Sequence, residues 1–188
     1  MRYLVLCLLA LGLTGCEELD RLLLPSSGTA SRLVDLAEVR VEDREGNYAG
    51  GSCVHASLVT AMRYQGKPEL ADWWRRTHSG GEFPHRTNRK LRDAGIPSAY
   101  TLRENNVAFL QWAVDNRLGC GVAINGGRHM ILLVEMTKTH VCLIDNNNVR
   151  RLYWLPRDRF IQNWTDAGSW GVTPVLRRVP QPPNRSKI

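Results

Sequence analysis

The sequence has no hydrophobic run at its start long enough to cross a bilayer. Residues 3–12 are apolar, well short of the ~20 residues that a spanning helix needs. With Arg2 ahead of it, this stretch reads as a secretory signal and not as an anchor helix. The chain also lacks a CxxC pair and any paired-histidine pattern, so no metal or other cofactor is expected. No internal repeat is present. The net charge of +7 is not accompanied by an aromatic-interleaved basic stripe or a nucleic-acid motif, and nucleic acid is not an expected partner. Its arginines are scattered, with pairs at Arg75 and Arg76, Arg150 and Arg151, and Arg177 and Arg178. Such a charge fits a solvated surface, or one that faces anionic lipid or cell-wall polymer. A length of 188 residues allows one domain with short appendages, and a monomer is expected.

The tetrapeptide after the apolar run is more specific. Leu13-Thr14-Gly15-Cys16 resembles the bacterial lipobox, whose cysteine is diacylated and becomes the first residue after cleavage. The resemblance implies that residues 1–15 are a lipoprotein signal peptide and that Cys16 carries the lipid, palmitate among its acyl chains. Two or three such chains suffice for stable membrane attachment. The chain would then be held at the bacterial cell envelope; Glu17 after the cysteine permits passage to the outer membrane in a Gram-negative host. Residues 16–45 read as the lipidated start and a tether, with a short helix over residues 31–40.

Cysteine arithmetic then points inward. Cys7 leaves with the signal and Cys16 takes lipid, so Cys53, Cys120 and Cys142 remain. In an oxidising compartment an odd thiol is a candidate reactive group. If Cys53 is that thiol, Cys120 and Cys142 are left as a candidate disulfide across neighbouring strands.

Cys53 has the better surroundings for reactivity. Gly50-Gly51-Ser52 leads into a segment where Val54, Leu58, Ala61 and Met62 recur at helical spacing, which predicts a helix over residues 52–63. Ser52 is suited to the N-cap, so Cys53 falls in the first turn, where open N–H groups and the helix dipole favour the thiolate. A buried structural cysteine is the bland alternative. Further helices are expected over residues 68–77, with Pro68 at its start, 87–94 and 104–116. Beyond them the period changes. Strands are expected at 98–102, 120–124, 129–136, 140–145, 149–155 and 170–178, with a short helix over 156–164 and a proline-rich tail from 180 to 188. Near-continuous apolarity over Met130-Ile131-Leu132-Leu133-Val134 predicts a strand covered on both faces. Helices first and an antiparallel sheet afterwards make an α+β domain over residues 46–179.

A cysteine nucleophile needs a base, and the base needs a group to orient it. His129 opens one predicted strand and Asp145 ends the next. A hairpin turn centred on Lys138 offsets the two by about one pair, which puts their side chains on one face. Cys53, His129 and Asp145, in this order and on these elements, resemble the papain-like cysteine peptidases, most closely the bacteriocin-processing (double-glycine) branch. The segment Phe160-x-x-x-Trp164 followed by a strand is also similar.

The resemblance implies a papain-like fold, with the nucleophile helix packed on the sheet. It also implies that Cys53 attacks a carbonyl carbon, that His129 carries the proton, and that Asp145 fixes the His129 tautomer. Asn47, where that branch has Gln, and the Cys53 N–H would hold the oxyanion. Where the branch has proline after the aspartate, this chain has Asn146, and Asn146, Asn147 and Asn148 are competing orienters.

The expected partner is a peptide or protein substrate, cell-wall peptide included, with the membrane engaged through Cys16. The expected activity is hydrolysis by a cysteine peptidase, with acyl transfer as a variant. A peptidoglycan amidase or endopeptidase, to which His140 bears a faint likeness, and a non-enzymatic binding lipoprotein are the alternatives. His55 is expected to meet solvent on the first turn of its helix, His78 and His85 to lie in a polar loop, and Trp73, Trp74 and Trp112 to occupy helical core positions.

Overall fold

Proline fixes where two of the helices begin. Its locked φ suits the first helical position and its missing N–H costs nothing there, and Pro68 and Pro84 each start a helix. The second therefore begins three residues ahead of the expected Thr87. In the computed structural model, which describes residues 40–47 and 52–183, the elements follow in order. A 3-10 turn spans Val41–Asp43, and helices α1 (Cys53–Tyr64), α2 (Pro68–Thr77) and α3 (Pro84–Asp93) come next. Strand β1 (Ser98–Thr101) precedes helix α4 (Val107–Asp115). Strand β2 (Cys120–Ile124), a 3-10 turn at Asn125–Gly127, and strands β3 (His129–Met136), β4 (His140–Ile144) and β5 (Leu152–Pro156) then lead to helix α5 (Arg157–Asp166) and strand β6 (Gly171–Pro174). Among the described residues the domain is α+β, with five α-helices and one six-stranded antiparallel sheet in the order β1-β6-β2-β3-β4-β5.

The central strands are covered on both sides, as their unbroken apolarity requires. On one face Val54, Leu58, Val59 and Met62 of α1 pack with Ala123, Met130 and Val172 of the sheet. Ala71 and Trp74 of α2 and Leu91 of α3 close over α1 from outside. The other face meets α4. A β-carbon on Gly171 would come within 3.2 Å of Leu110 Cδ2 and 3.3 Å of Cys120 Sγ, so helix and sheet approach there only because the residue is glycine.

The β3–β4 hairpin is not regular. Near its turn Met136 faces Val141 and Glu135 faces Cys142; past an irregularity at Val134, Leu133 faces Leu143 and Leu132 faces Ile144. One extra residue of β3 is accommodated between those pairs. Continued beyond Ile144, the register sets Asp145 against Ile131, on the face that residues 129, 131 and 133 share. Without the bulge Asp145 would oppose Leu132 and point to the other face. The one-pair offset expected from a turn at Lys138 is thus restored by a bulge that the spacing alone does not reveal.

Several expectations are corrected. Cys120 and Cys142 are free thiols. They lie on β2 and β4, with β3 between them, and two strand spacings (~9.5 Å) exceed the reach of a disulfide. The tether does not extend to residue 45. Arg44 and Glu45 are buried, the Glu45 N–H donates to Thr60 Oγ1 at 2.9 Å, and Arg63 and Arg75 both pair with the Glu45 carboxylate. Nor does the tail start free at residue 180, because Trp112 Nε1 donates to Pro180 O at 3.0 Å and Asn106 Nδ2 to Pro183 O at 3.3 Å. β6 stops at Pro174, a residue with no N–H for a ladder. β5 begins only at Leu152, since Asn148 N donates to Asp145 O and Arg151 N to Asn148 O in the turn before it. Trp73 is 39% exposed, whereas Trp74 and Trp112 are buried. The lipobox, Cys16 and residues 31–39 of the helix expected over residues 31–40 lie outside the described residues, and Arg40 itself is not helical. Among the described residues no helix is long and apolar enough to cross a membrane.

The far end of α1 is fastened by Gln65. Its amide nitrogen donates to Leu118 O at 2.9 Å and Pro174 O at 2.8 Å, while its oxygen accepts from Leu176 N at 3.0 Å. Buried groups left without partners cost ~1–3 kcal/mol each. Gln65→Ala should therefore lower stability in urea unfolding by about 2–4 kcal/mol, without changing the slope of the transition.

Candidate functional site

The site is assembled where the start of α1 meets the start of β3 and the end of β4. Ser52 takes the cap position of α1, but its side chain makes no capping bond to the helix. Its N–H and Oγ both donate to Asn47 Oδ1 at 3.0 Å. The first-turn N–H groups are thus left for another acceptor. Cys53 is half-buried at that position, and the N–H groups of Val54 and Met130 point to its sulfur.

His129 bonds both other members of the expected triad. Its Nε2 lies 2.9 Å from Asp145 Oδ1. The ring also shares a hydrogen bond with the Cys53 sulfur. Asp145 is buried, and the same oxygen accepts from Asn147 N at 2.9 Å. Asn147 Nδ2 stands 3.4 Å from His129 Nε2, yet its partner on the other side settles the contest. Asn147 Oδ1 accepts from Asn47 Nδ2 at 3.2 Å, so its nitrogen faces the ring and can only donate. A ring nitrogen that donates to a carboxylate at 2.9 Å cannot also accept, so the hydrogen-bond partner of the ring at Nε2 is Asp145, with Asn147 beside it.

The charges follow from these contacts. Burial alone would raise the Cys53 thiol, but the hydrogen bond and charge of His129, with the Met130 and Val54 N–H groups, bring it below its ordinary value. Burial pulls His129 down, but its bonds to Asp145 and Cys53 outweigh that and raise it to about 9. Both shifts favour a thiolate–imidazolium pair at neutral pH. The other thiols behave oppositely: burial drives Cys120 up, and burial with the nearby Glu135 pushes Cys142 up to about 12.

Asn47 lies beside this arrangement but is already engaged. Its oxygen holds Ser52, its amide nitrogen holds Asn147, and its N–H donates to Asn146 O at 2.6 Å. Asn146 does not face the imidazole; its amide nitrogen turns inward to the carbonyls of Cys53 and Met130. Sequence reasoning grouped it with the orienters, and the only signal for its different role is a run of three asparagines at a strand end.

The other histidines are elsewhere. His140 starts β4 opposite Pro156 and is exposed, at the far end of a strand whose rise sets it ~16 Å from Asp145. His55 corrects its expectation, since it is fully buried. Trp74 Nε1 donates to its Nδ1 at 3.2 Å, and its Nε2 lies 3.6 Å from Glu82 Oε1, which also pairs with Lys90. Burial, and then the Lys90 charge, lower its pKa to about 4, so it is a neutral packing element on the α2 side of the helix. His78 stacks on Trp74 at 3.8 Å and is part of the same cluster. Among the described residues no group of three or more His, Cys, Asp or Glu side chains could hold a metal ion.

No family model, curated protein or solved structure matches the chain.

The charge on Asp145 sets the pH dependence of the thiol. Removing it removes what stabilises the imidazolium, so His129 loses its proton at lower pH and the thiolate loses its cation. Iodoacetamide should label Cys53 selectively over Cys120 and Cys142. Its rate at pH 6 should drop about tenfold in Asp145→Asn, one unit of thiol pKa being tenfold in thiolate, as read by mass spectrometry of the labelled peptide.

Proposed function

We propose that the chain is a papain-like thiol hydrolase, a cysteine peptidase in its simplest form, that cleaves a peptide or amide bond. The observation that carries this reading is the continuous contact from the Cys53 sulfur through His129 to Asp145 at the start of a buried helix. The intervening α+β framework, a nucleophile helix lying on an antiparallel sheet, is compatible with it.

The chemistry runs in two halves. The thiolate attacks the carbonyl carbon, and the oxygen becomes an oxyanion near the open first-turn N–H groups, that of Cys53 among them. As the C–N bond breaks, the proton on His129 passes to the departing amine, leaving a Cys53 thioester. Water then gives its proton to His129 as it attacks the thioester, and the acid leaves as the thiolate reforms. An amine in place of water would make the same site an acyltransferase. Asn47 joins the oxyanion hole only by exchanging Asn147 for the substrate oxygen. Lipidation of Cys16 would hold this chemistry at the bacterial cell envelope, where exposed peptides, cell-wall peptides included, are the available substrates.

A screen of fluorogenic peptides and muropeptides tests the reading. Cys53→Ala should abolish turnover, and His129→Ala should lower kcat by ~10²–10⁴, the range for loss of a general base. A peptidyl electrophile should add one mass increment at Cys53. Absence of both turnover and covalent addition would overturn the enzyme reading and leave a binding domain.

A further inference from the structure

Asn146 follows the end of β4 and is 4% exposed. Its amide nitrogen lies 2.8 Å from Met130 O, 3.1 Å from Ser57 Oγ and 3.2 Å from Cys53 O. Its main-chain carbonyl accepts from Asn47 N at 2.6 Å. Two amide hydrogens are therefore shared among three acceptors, two of them backbone carbonyls on different elements. Met130 is the residue after His129, and Asp145 is the residue before Asn146. Each of Cys53, His129, Asp145 and Asn47 is thus within one hydrogen bond and one peptide link of this residue.

Packing alone does not fix such a geometry. The contacts of Leu58 and Met62 with the sheet are non-directional, and they tolerate sliding of α1 along β3 better than bonds to carbonyls do. Ser57 is the other tie at this end of the helix, donating to Met130 O at 3.3 Å, and it is itself held by Asn146.

We infer that Asn146 is a positioning residue for the thiol chemistry: it fastens the first turn of α1 to the start of β3 and so keeps the Cys53 sulfur in hydrogen-bond reach of His129. This rests on the thiol-hydrolase reading above. It acts through Cys53 and His129 and touches no reacting atom. The loss of a single donor at the crossing of two elements shifts a nucleophile relative to its base, and misplacement by about 1 Å costs ~10²-fold in rate.

The test is the pH profile of Cys53 alkylation in the full chain in detergent micelles, with thermal unfolding followed in parallel. In Asn146→Ala the apparent thiol pKa should return to the free value of about 8.5, and the rate at pH 6.5 should fall at least ~tenfold. Ser57→Ala, which keeps the bonds from Asn146 to both carbonyls, should stay within about twofold of wild type. Gln65→Ala, which loosens the opposite end of α1, should lower the unfolding temperature and leave the Cys53 profile in place. Should the alanine variant not fold, Asn146→Leu supplies similar bulk without the donor and should show the same displacement. A wild-type profile in Asn146→Ala, an equal displacement in Gln65→Ala, or failure of both Asn146 variants to fold would each overturn the inference and leave a general structural role. An ordinary thiol pKa in the wild type, indifferent to His129→Ala, would instead overturn the thiol-hydrolase reading itself.

Discussion

Burial of α1 against β3 is the constraint on which everything else in this domain depends. The helix is buried from Val54 to Met62, and a helix so enclosed cannot leave its seat on the sheet without opening cavities, though packing leaves small slides along β3 for directional bonds to fix. Its start is therefore set by its middle. Once Leu58, Val59 and Met62 are seated on the sheet, Cys53 must emerge where β3 begins. His129 stands there because Ala123 pairs with Met130 and Ile124 with His129 across the turn at Asn125–Gly127. Cys53 and His129 are brought to one place by hydrophobic packing, and polar contacts then fix their mutual position.

Those polar contacts form a second layer with its own logic. Glu45 is clasped by Arg63 and Arg75, and Thr60 receives the Glu45 N–H, so the strand of chain ahead of the helix is anchored to the helix's own flank. Asn47 then spans from Ser52 to Asn147. Segments distant in sequence, before α1 and after β4, are joined around the thiol by side-chain amides. Buried networks of this kind are specific because each unsatisfied member is costly.

Much of this was legible in the chain itself. The spans 68–77, 120–124 and 129–136 coincide with α2, β2 and β3, because proline at a helix start and unbroken apolar runs between turns leave few alternatives. The order of Cys53, His129 and Asp145 on helix, strand and strand end was readable for the same reason. What was not legible depends on contacts with no local signature. The bulge at Val134 lies inside an ordinary apolar run. His55 looked like a surface residue because nothing nearby announces Trp74 and Glu82 as its partners. Ser52 fits the usual capping residue, and only the position of Asn47 shows that its hydroxyl is turned away. Cys120 and Cys142 could be paired on paper because strand order across a sheet is not written in strand sequence.

The diverted Ser52 hydroxyl carries a wider consequence. A capping side chain contributes ~0.5–2 kcal/mol to a helix, and here that contribution is forgone at the most enclosed helix of the domain. The helix start is thermodynamically unfinished, and the groups left open by that shortfall include the Val54 N–H, which stabilises negative charge on the sulfur. Robustness and reactivity thus compete for one set of N–H groups. In an evolving lineage, drift toward a better-capped helix at this point would yield a sturdier fold and a quieter thiol.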